Sequence, residues 1–148
     1  MKRTGLRPPL IARYVSQPPM KITHSDWCLE TAGWAIDHSD ECITLTPADV
    51  DAALQVGTYR KRSGNVTPEE LREFARRDLN GRVADALPIH CGSFSGFTSE
   101  YIEESKFWRR WWLARNSTHL FVTYNTDSDN REAHRAVVDW MLSTLCDV

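Results

Sequence analysis

Between residues 107 and 125 apolar and polar positions follow the two-residue period of a β-strand, interrupted at Asn116-Ser117-Thr118. Residues 107–115 place Phe107, Arg109, Trp111, Leu113 and Arg115 on one face and Trp108, Arg110, Trp112 and Ala114 on the other. Neither face is purely apolar. In residues 119–125, Leu120, Val122 and Tyr124 oppose Phe121 and Thr123, residue types that suit a pleated surface. The short polar link predicts a hairpin. A helix over 107–114, lining up Lys106, Arg109 and Arg110, is the competing assignment; the hairpin-sized link and the plain strand beyond it favour the strand.

Upstream, residues 34–37 and 41–46 have strand composition around a His38-Ser39-Asp40 turn, which predicts a first hairpin with Trp34 as a core anchor. Residues 53–60 alternate Leu54, Val56, Thr58 and Arg60 against Gln55, Gly57 and Tyr59, a third strand. It runs into the basic stretch Arg60-Lys61-Arg62, read as a solvated turn. Thr67-Pro68-Glu69-Glu70 is the best helix start: Thr67 caps, Pro68 occupies the first helical position and Glu70 completes the T-x-x-E box. Leu71, Phe74, Ala75 and Leu79 form its apolar stripe, and Asn80-Gly81 ends it. Residues 87–94 read as a fourth strand and 96–104 as another. A Ser105-Lys106 turn would set Glu103 or Glu104 against Arg109 or Arg110. A closing helix spans 129–145, capped by Asp129 or Ser128, with Ala133, Val137, Trp140, Met141 and Leu145 as its stripe. The fold class expected is α+β, an antiparallel sheet flanked by helices, in one domain over residues 20–148.

Charge refines this picture. The net charge is −2, yet Lys2, Arg3, Arg7 and Arg13 supply four of the 18 basic residues and residues 1–19 contain no acid. Met20 onward therefore holds 14 basic against 20 acidic side chains, a balance of −6. That argues against nucleic-acid binding, which rests on phosphate neutralisation. Pro8, Pro9, Pro18 and Pro19 make residues 1–19 a basic, Pro-rich arm expected to be disordered or weakly ordered. Its apolar stretch, Leu10-Ile11-Ala12, is too short for a signal-peptide core, and no run approaches a membrane span. Cys28, Cys42, Cys91 and Cys146 lack C-x-x-C spacing or a nearby histidine pair, which predicts reduced thiols in a cytoplasmic protein and no metal site.

Little in the chain carries chemistry. His24-Ser25-Asp26 and His38-Ser39-Asp40 repeat a tripeptide suited to polar turns, whereas a catalytic triad assembles its members in space. Gly92-Ser93-Phe94-Ser95-Gly96 has phenylalanine where a nucleophile elbow needs serine. No catalytic residue and no cofactor are assigned. Were a pocket to lie between sheet and helix, His90, His119, Tyr124 and Glu103 would be its candidates.

The order of elements, with the segments ALQVGTYR, TPEELREFARRDL, FSGFTSEY, FWRRWWL and LFVTYN, resembles the PsbP-like superfamily over residues 27–145. That superfamily of α/β/α sandwiches includes photosystem accessory proteins, a Ran-binding nuclear import factor and small bacterial proteins of the DcrB type. The resemblance implies a binding or assembly module rather than an enzyme, in bacteria an effector adaptor or chaperone; proteins of this size also serve as toxin-immunity partners. The partner is then another protein. Trp108, Arg110 and Trp112 are the expected partner-binding residues, because Trp and Arg are over-represented among interface hot spots. The competing expectation is that the tryptophans lie beneath a helix, with Arg110 reaching the sheet edge by its aliphatic stem.

Overall fold

A computed structural model of the protein describes residues 20–39, 42–82 and 84–148. The arm at 1–19, and Asp40 and Glu41 of the first hairpin, lie outside the described residues. The principal sheet has seven strands: β3 (Ala35–His38), β4 (Cys42–Thr46), β5 (Ala52–Arg60), β6 (Leu87–Cys91), β7 (Phe94–Glu103), β8 (Lys106–Arg115) and β9 (Thr118–Asp127). Their order is β3-β4-β5-β9-β8-β7-β6, with every neighbouring pair antiparallel. Consecutive strands make hairpins everywhere except at the β5–β9 seam, where residues 52–60 pair with 118–126.

Directly opposed residues share a face, so the register sorts the side chains. Leu45, Leu54, Tyr124 and Phe107 point one way, as do Ile43, Val56, Val122 and Trp111, and all are buried. A three-stranded sheet, β1 (Lys21–His24), β2 (Trp27–Glu30) and β10 (Cys146–Asp147), and the helix α2 (Arg135–Ser143) share this core through Trp27, Leu29, Val138, Met141 and Leu142. Trp27 Nε1 donates to the Thr58 hydroxyl at 2.8 Å, so even this fully buried indole has its polar atom satisfied. On the opposite face Phe97, Tyr101 and Trp112 pack against Leu71, Ala75 and Leu79 of α1 (Pro68–Leu79). The architecture is α+β, an antiparallel sheet with a helix on each face.

The start of α1 follows from its sequence. Glu70 N donates to Thr67 Oγ1 at 3.1 Å and Thr67 N donates to the Glu70 carboxylate at 2.9 Å, which closes the capping box. Lys61 adds an ion pair to Glu70 at 2.9 Å, and its hydrogen bond holds the Glu70 carboxyl below its usual range. Asn80 ends the helix in the left-handed conformation, its N–H donating to the Arg76 carbonyl at 3.2 Å.

Several expectations are corrected. Strand β6 stops at Cys91, because Gly92 and Ser93 form the turn into β7. Gly92 has φ +61, and a Cβ there would overlap the Leu145 carbonyl, which also accepts from Ser93 N at 2.8 Å. The β7–β8 turn is Glu104-Ser105, both at positive φ, so Lys106 opposes Glu103 and Arg109 opposes Glu100. Glu103 instead pairs with Arg82 at 3.1 Å. The last helix is shorter than 129–145: residues 128–130 form a 3₁₀ turn, and neither Ser128 nor Asp129 caps α2. Its buried stripe is Val138, Met141 and Leu142, continued by Leu145, while Trp140 is 48% exposed. Two overlapping apolar stripes run through this segment, and packing against the main core buries the one through Val138 and Leu142. Strands β1, β2 and β10 lie where no strand was expected; only His24 of β1 belongs to a tripeptide read as a turn.

The reduced-thiol expectation fails for two cysteines. Cys28 and Cys146 stand directly opposite each other on β2 and β10 and form a disulfide across 118 residues of chain. Cys42 and Cys91 are free.

Candidate functional site

Strand β8 carries the expected site residues, and strand alternation puts Trp108, Arg110 and Trp112 on the α1 face. Trp112 is fully buried beneath the helix and donates its indole N–H to Asp78 Oδ2 at 2.9 Å. It offers no surface to a partner. The reason is position: α1 crosses β7 and β8 where Phe97 and Trp112 are paired. Trp108 and Arg110 sit toward the uncovered side and are half-buried. The Arg110 guanidinium lies over the rings of Trp108, Tyr101 and Phe121 at 5.3, 5.5 and 5.9 Å. Its hydrogen bond among the described residues is a long one, 3.5 Å from Nη1 to the Asp78 carbonyl. No carboxylate among the described residues lies within ion-pair distance of it, whereas its neighbour Arg109, on the other face, contacts Asp139 at 2.6 Å and Glu100 at 3.4 Å.

Beyond α1 the same face is bare. The register aligns Arg110 with Thr123, Gln55, Thr44 and Asp37 across five strands, all exposed or half-buried. One row over, the Tyr59 ring lies over Gly57, where an added Cβ would meet it at 3.5 Å, beside half-buried Phe121. His119 lies between Tyr59 and Phe74, with centroids 5.8 and 5.0 Å away, and its Nδ1–H donates to the Leu113 carbonyl at 3.1 Å. Burial holds its pKa below the usual imidazole value. A hydrogen-bonding surface edged by aromatic rings, with one cation lacking a counter-ion, can dock a polypeptide carrying an acidic side chain.

The four candidates for a sheet–helix pocket are not brought together. His119 is on the α1 face and Tyr124 is on the other, where burial pushes its phenol up to about 12. Glu103 is held by Arg82 at the tip of β7. His90 lines a groove of about 530 Å³ between the first half of α1 and the β6–β7 end of the sheet. Sequence reasoning missed Asp78 and Arg72. Both look like ordinary polar positions of an amphipathic helix, and only the helix's placement on the sheet gives them partners.

Among the described residues no group of three or more His, Cys, Asp or Glu could hold a metal, and no helix is long and apolar enough to cross a membrane. No family model and no curated protein matches the chain. Among solved structures it is similar to a crystal structure at 1.50 Å resolution of a protein from Bacteroides thetaiotaomicron VPI-5482, with 10% sequence identity and a TM-score of 0.57. The likeness covers 82% of this chain and 45% of the other, so this chain spans less than half of its neighbour's length. At that identity the likeness shows the fold alone.

Proposed function

We propose that the protein is a non-enzymatic bacterial protein-binding module that docks its partner on the sheet face left bare by α1, with an acidic side chain of the partner seated against Arg110. The observation that carries this reading is the half-buried Arg110 guanidinium, set among three aromatic rings without a carboxylate partner among the described residues. A cation so placed gains most from a counter-ion that arrives with its own desolvating surface. Trp108 beside it supplies aromatic area, and Thr123, Gln55 and Thr44 supply neutral hydrogen-bonding groups. An effector adaptor, taken from the PsbP-like resemblance, or a toxin-immunity partner, taken from the size of the chain, is the specific version. A cytoplasmic site of action was expected from the cysteines; the Cys28–Cys146 bond instead supports an oxidising compartment.

Affinity capture from the source cell tests the reading, with wild type run beside Trp108→Ala and Arg110→Glu, each shown by circular dichroism to remain folded at the capture temperature. The expected result is a protein retained by wild type and lost with Arg110→Glu. Equal capture by the charge-reversed variant, or no capture by any, overturns it. A second reading, a small-ligand protein with a pocket between sheet and helix, is favoured by the groove under α1.

A further inference from the structure

The groove of about 530 Å³ owes its existence to small side chains. Ser95 opposes Ala114 on the α1 face, two residues along from the Phe97–Trp112 pair that supports the helix, so the sheet falls away beneath the start of α1. His90 stands opposite Ser95 on β6 and Arg72 projects from α1, so imidazole and cation enter from the sheet and helix walls respectively. Asn65, Asn116 and Ser93 add neutral hydrogen-bonding groups at the rim. No Asp or Glu is among the lining residues, in a chain whose residues from Met20 onward carry a net −6.

Arg72 is the available cation. The other lining arginine, Arg115, is engaged by Asp147 at 2.9 Å. The Arg72 guanidinium instead lies 4.7 Å over the Phe97 ring and pairs with no carboxylate among the described residues, while Arg76 one turn on is tied to Glu73. The helix N-terminus adds nothing, because Thr67 and Glu70 already satisfy each other.

Resting on the small-ligand reading, we propose that this groove binds a small phosphate monoester, its phosphate between Arg72 and His90 and its organic body against the exposed ring of Pro88. The donors come from several elements instead of one bidentate fork. Three peripheral oxygens of a phosphate can be shared among them, whereas a carboxylate offers two. The volume falls within the roughly 300–1,000 Å³ of small-molecule sites.

The experiment is a titration of the folded, isotopically labelled protein at low salt with inorganic phosphate, glucose-6-phosphate and glucuronate, followed by amide shifts and calorimetry. Glucose-6-phosphate is expected to move the amides of residues 72, 90, 93–97 and 114–116 and to bind more tightly than inorganic phosphate or glucuronate. Arg72→Gln should weaken it by about tenfold or more, the loss of one charge-assisted contact worth about 1.4 kcal/mol. Arg76→Gln, outside the groove, should leave it unchanged. Arg72 and His90 are exposed, so both Arg72→Gln and His90→Gln should keep the wild-type amide dispersion. Tighter binding of glucuronate, or undiminished affinity in Arg72→Gln, overturns the phosphate assignment while leaving a ligand groove. Amides unmoved by all three probes at millimolar concentrations overturn the groove as a site altogether.

Discussion

Trp112 reaches from the middle of β8 to the last turn of α1, where its indole N–H donates to Asp78 at 2.9 Å. The ring is fully buried beneath Leu71, Ala75 and Leu79, so it is both the floor on which the helix packs and a polar tether for its end. Trp108, two residues earlier on the same face, is half-buried.

The two tryptophans should therefore separate in a stability measurement. Trp112→Ala removes a large core side chain and its bond to Asp78, a loss of about 3–5 kcal/mol on the scale of buried aromatic truncations. Asp78→Ala should cost about 1–3 kcal/mol by orphaning the indole donor. Trp108→Ala should cost less than Trp112→Ala. Urea unfolding of the three variants checks the order, and a Trp112→Ala protein as stable as Trp108→Ala would remove Trp112 from the core.

The Cys28–Cys146 bond fastens the C-terminal strand to β2, with Val148 N adding a hydrogen bond to the Asp26 carbonyl at 2.8 Å. It closes a loop across 118 residues, and the chain-entropy account of so long a loop gives on the order of 4–5 kcal/mol. Reduction, or Cys28→Ser with Cys146→Ser, should lower the urea midpoint markedly without abolishing the seven-stranded sheet. Thiol titration of the unfolded, unreduced protein should find two free cysteines. Four free thiols, with a midpoint indifferent to reductant, would show that the bond does not form.

The parts legible in the sequence are those with local causes. The capping box at Thr67 and Glu70, the strand alternation of residues 107–115 and the hairpin into β9 each need a dozen residues or fewer. Trp34 is the core anchor its composition suggested. Strands β1 and β2 have four residues each and β10 has two, too few to show a period, and they exist because the main core offers them a face to close. No spacing rule joins Cys28 to Cys146, since only the completed fold sets β2 beside β10. Alternation separates Arg109 from Arg110 at once, but which of the two would meet carboxylates depended on where each helix landed. That same placement hid the roles of Asp78 and Arg72.

The two free thiols should differ in reactivity. Cys91 is buried, and the loss of hydration pushes its thiol up to about 11, with Asp139 raising it further and Arg109 opposing. Cys42 is half-buried on the bare face of the sheet. At neutral pH a maleimide should label Cys42 in the folded protein and reach Cys91 only on unfolding, read by mass spectrometry of the peptides. The raised value also sets a sign: the fold keeps Cys91's contribution below 9.0, where the thiol is neutral in folded and unfolded chains alike. It loses that contribution as pH rises from 9.0 toward about 11, where the unfolded thiol ionises first. Equal labelling of both cysteines in the native state would contradict the burial of Cys91.

His119 gives the opposite dependence near neutrality. Burial between Tyr59 and Phe74 lowers its pKa below the ordinary 6.5, outweighing the carbonyl of Leu113 and the carboxylate of Asp78, which favour the proton, while Arg77 disfavours it. Above 6.5 the ring is neutral in both states and the fold keeps its full stability. As pH falls from 6.5 through the lowered folded value, the unfolded chain takes up the proton first and stability is lost. Glu100, held below 4.5 chiefly by its hydrogen bond with Arg135, adds a further loss only at more acidic pH, so the two windows are separable. Replacing His119 by Phe keeps an aromatic ring between Tyr59 and Phe74 but removes the titrating nitrogen and the bond to Leu113. The variant should be less stable than wild type at pH 7, and the gap should narrow as pH falls toward 5, because the wild type alone pays the protonation penalty of this ring. Parallel stability curves for the two proteins between pH 7 and 5 would mean that His119 titrates alike in both states, and the imidazole would then have to be solvated in the fold.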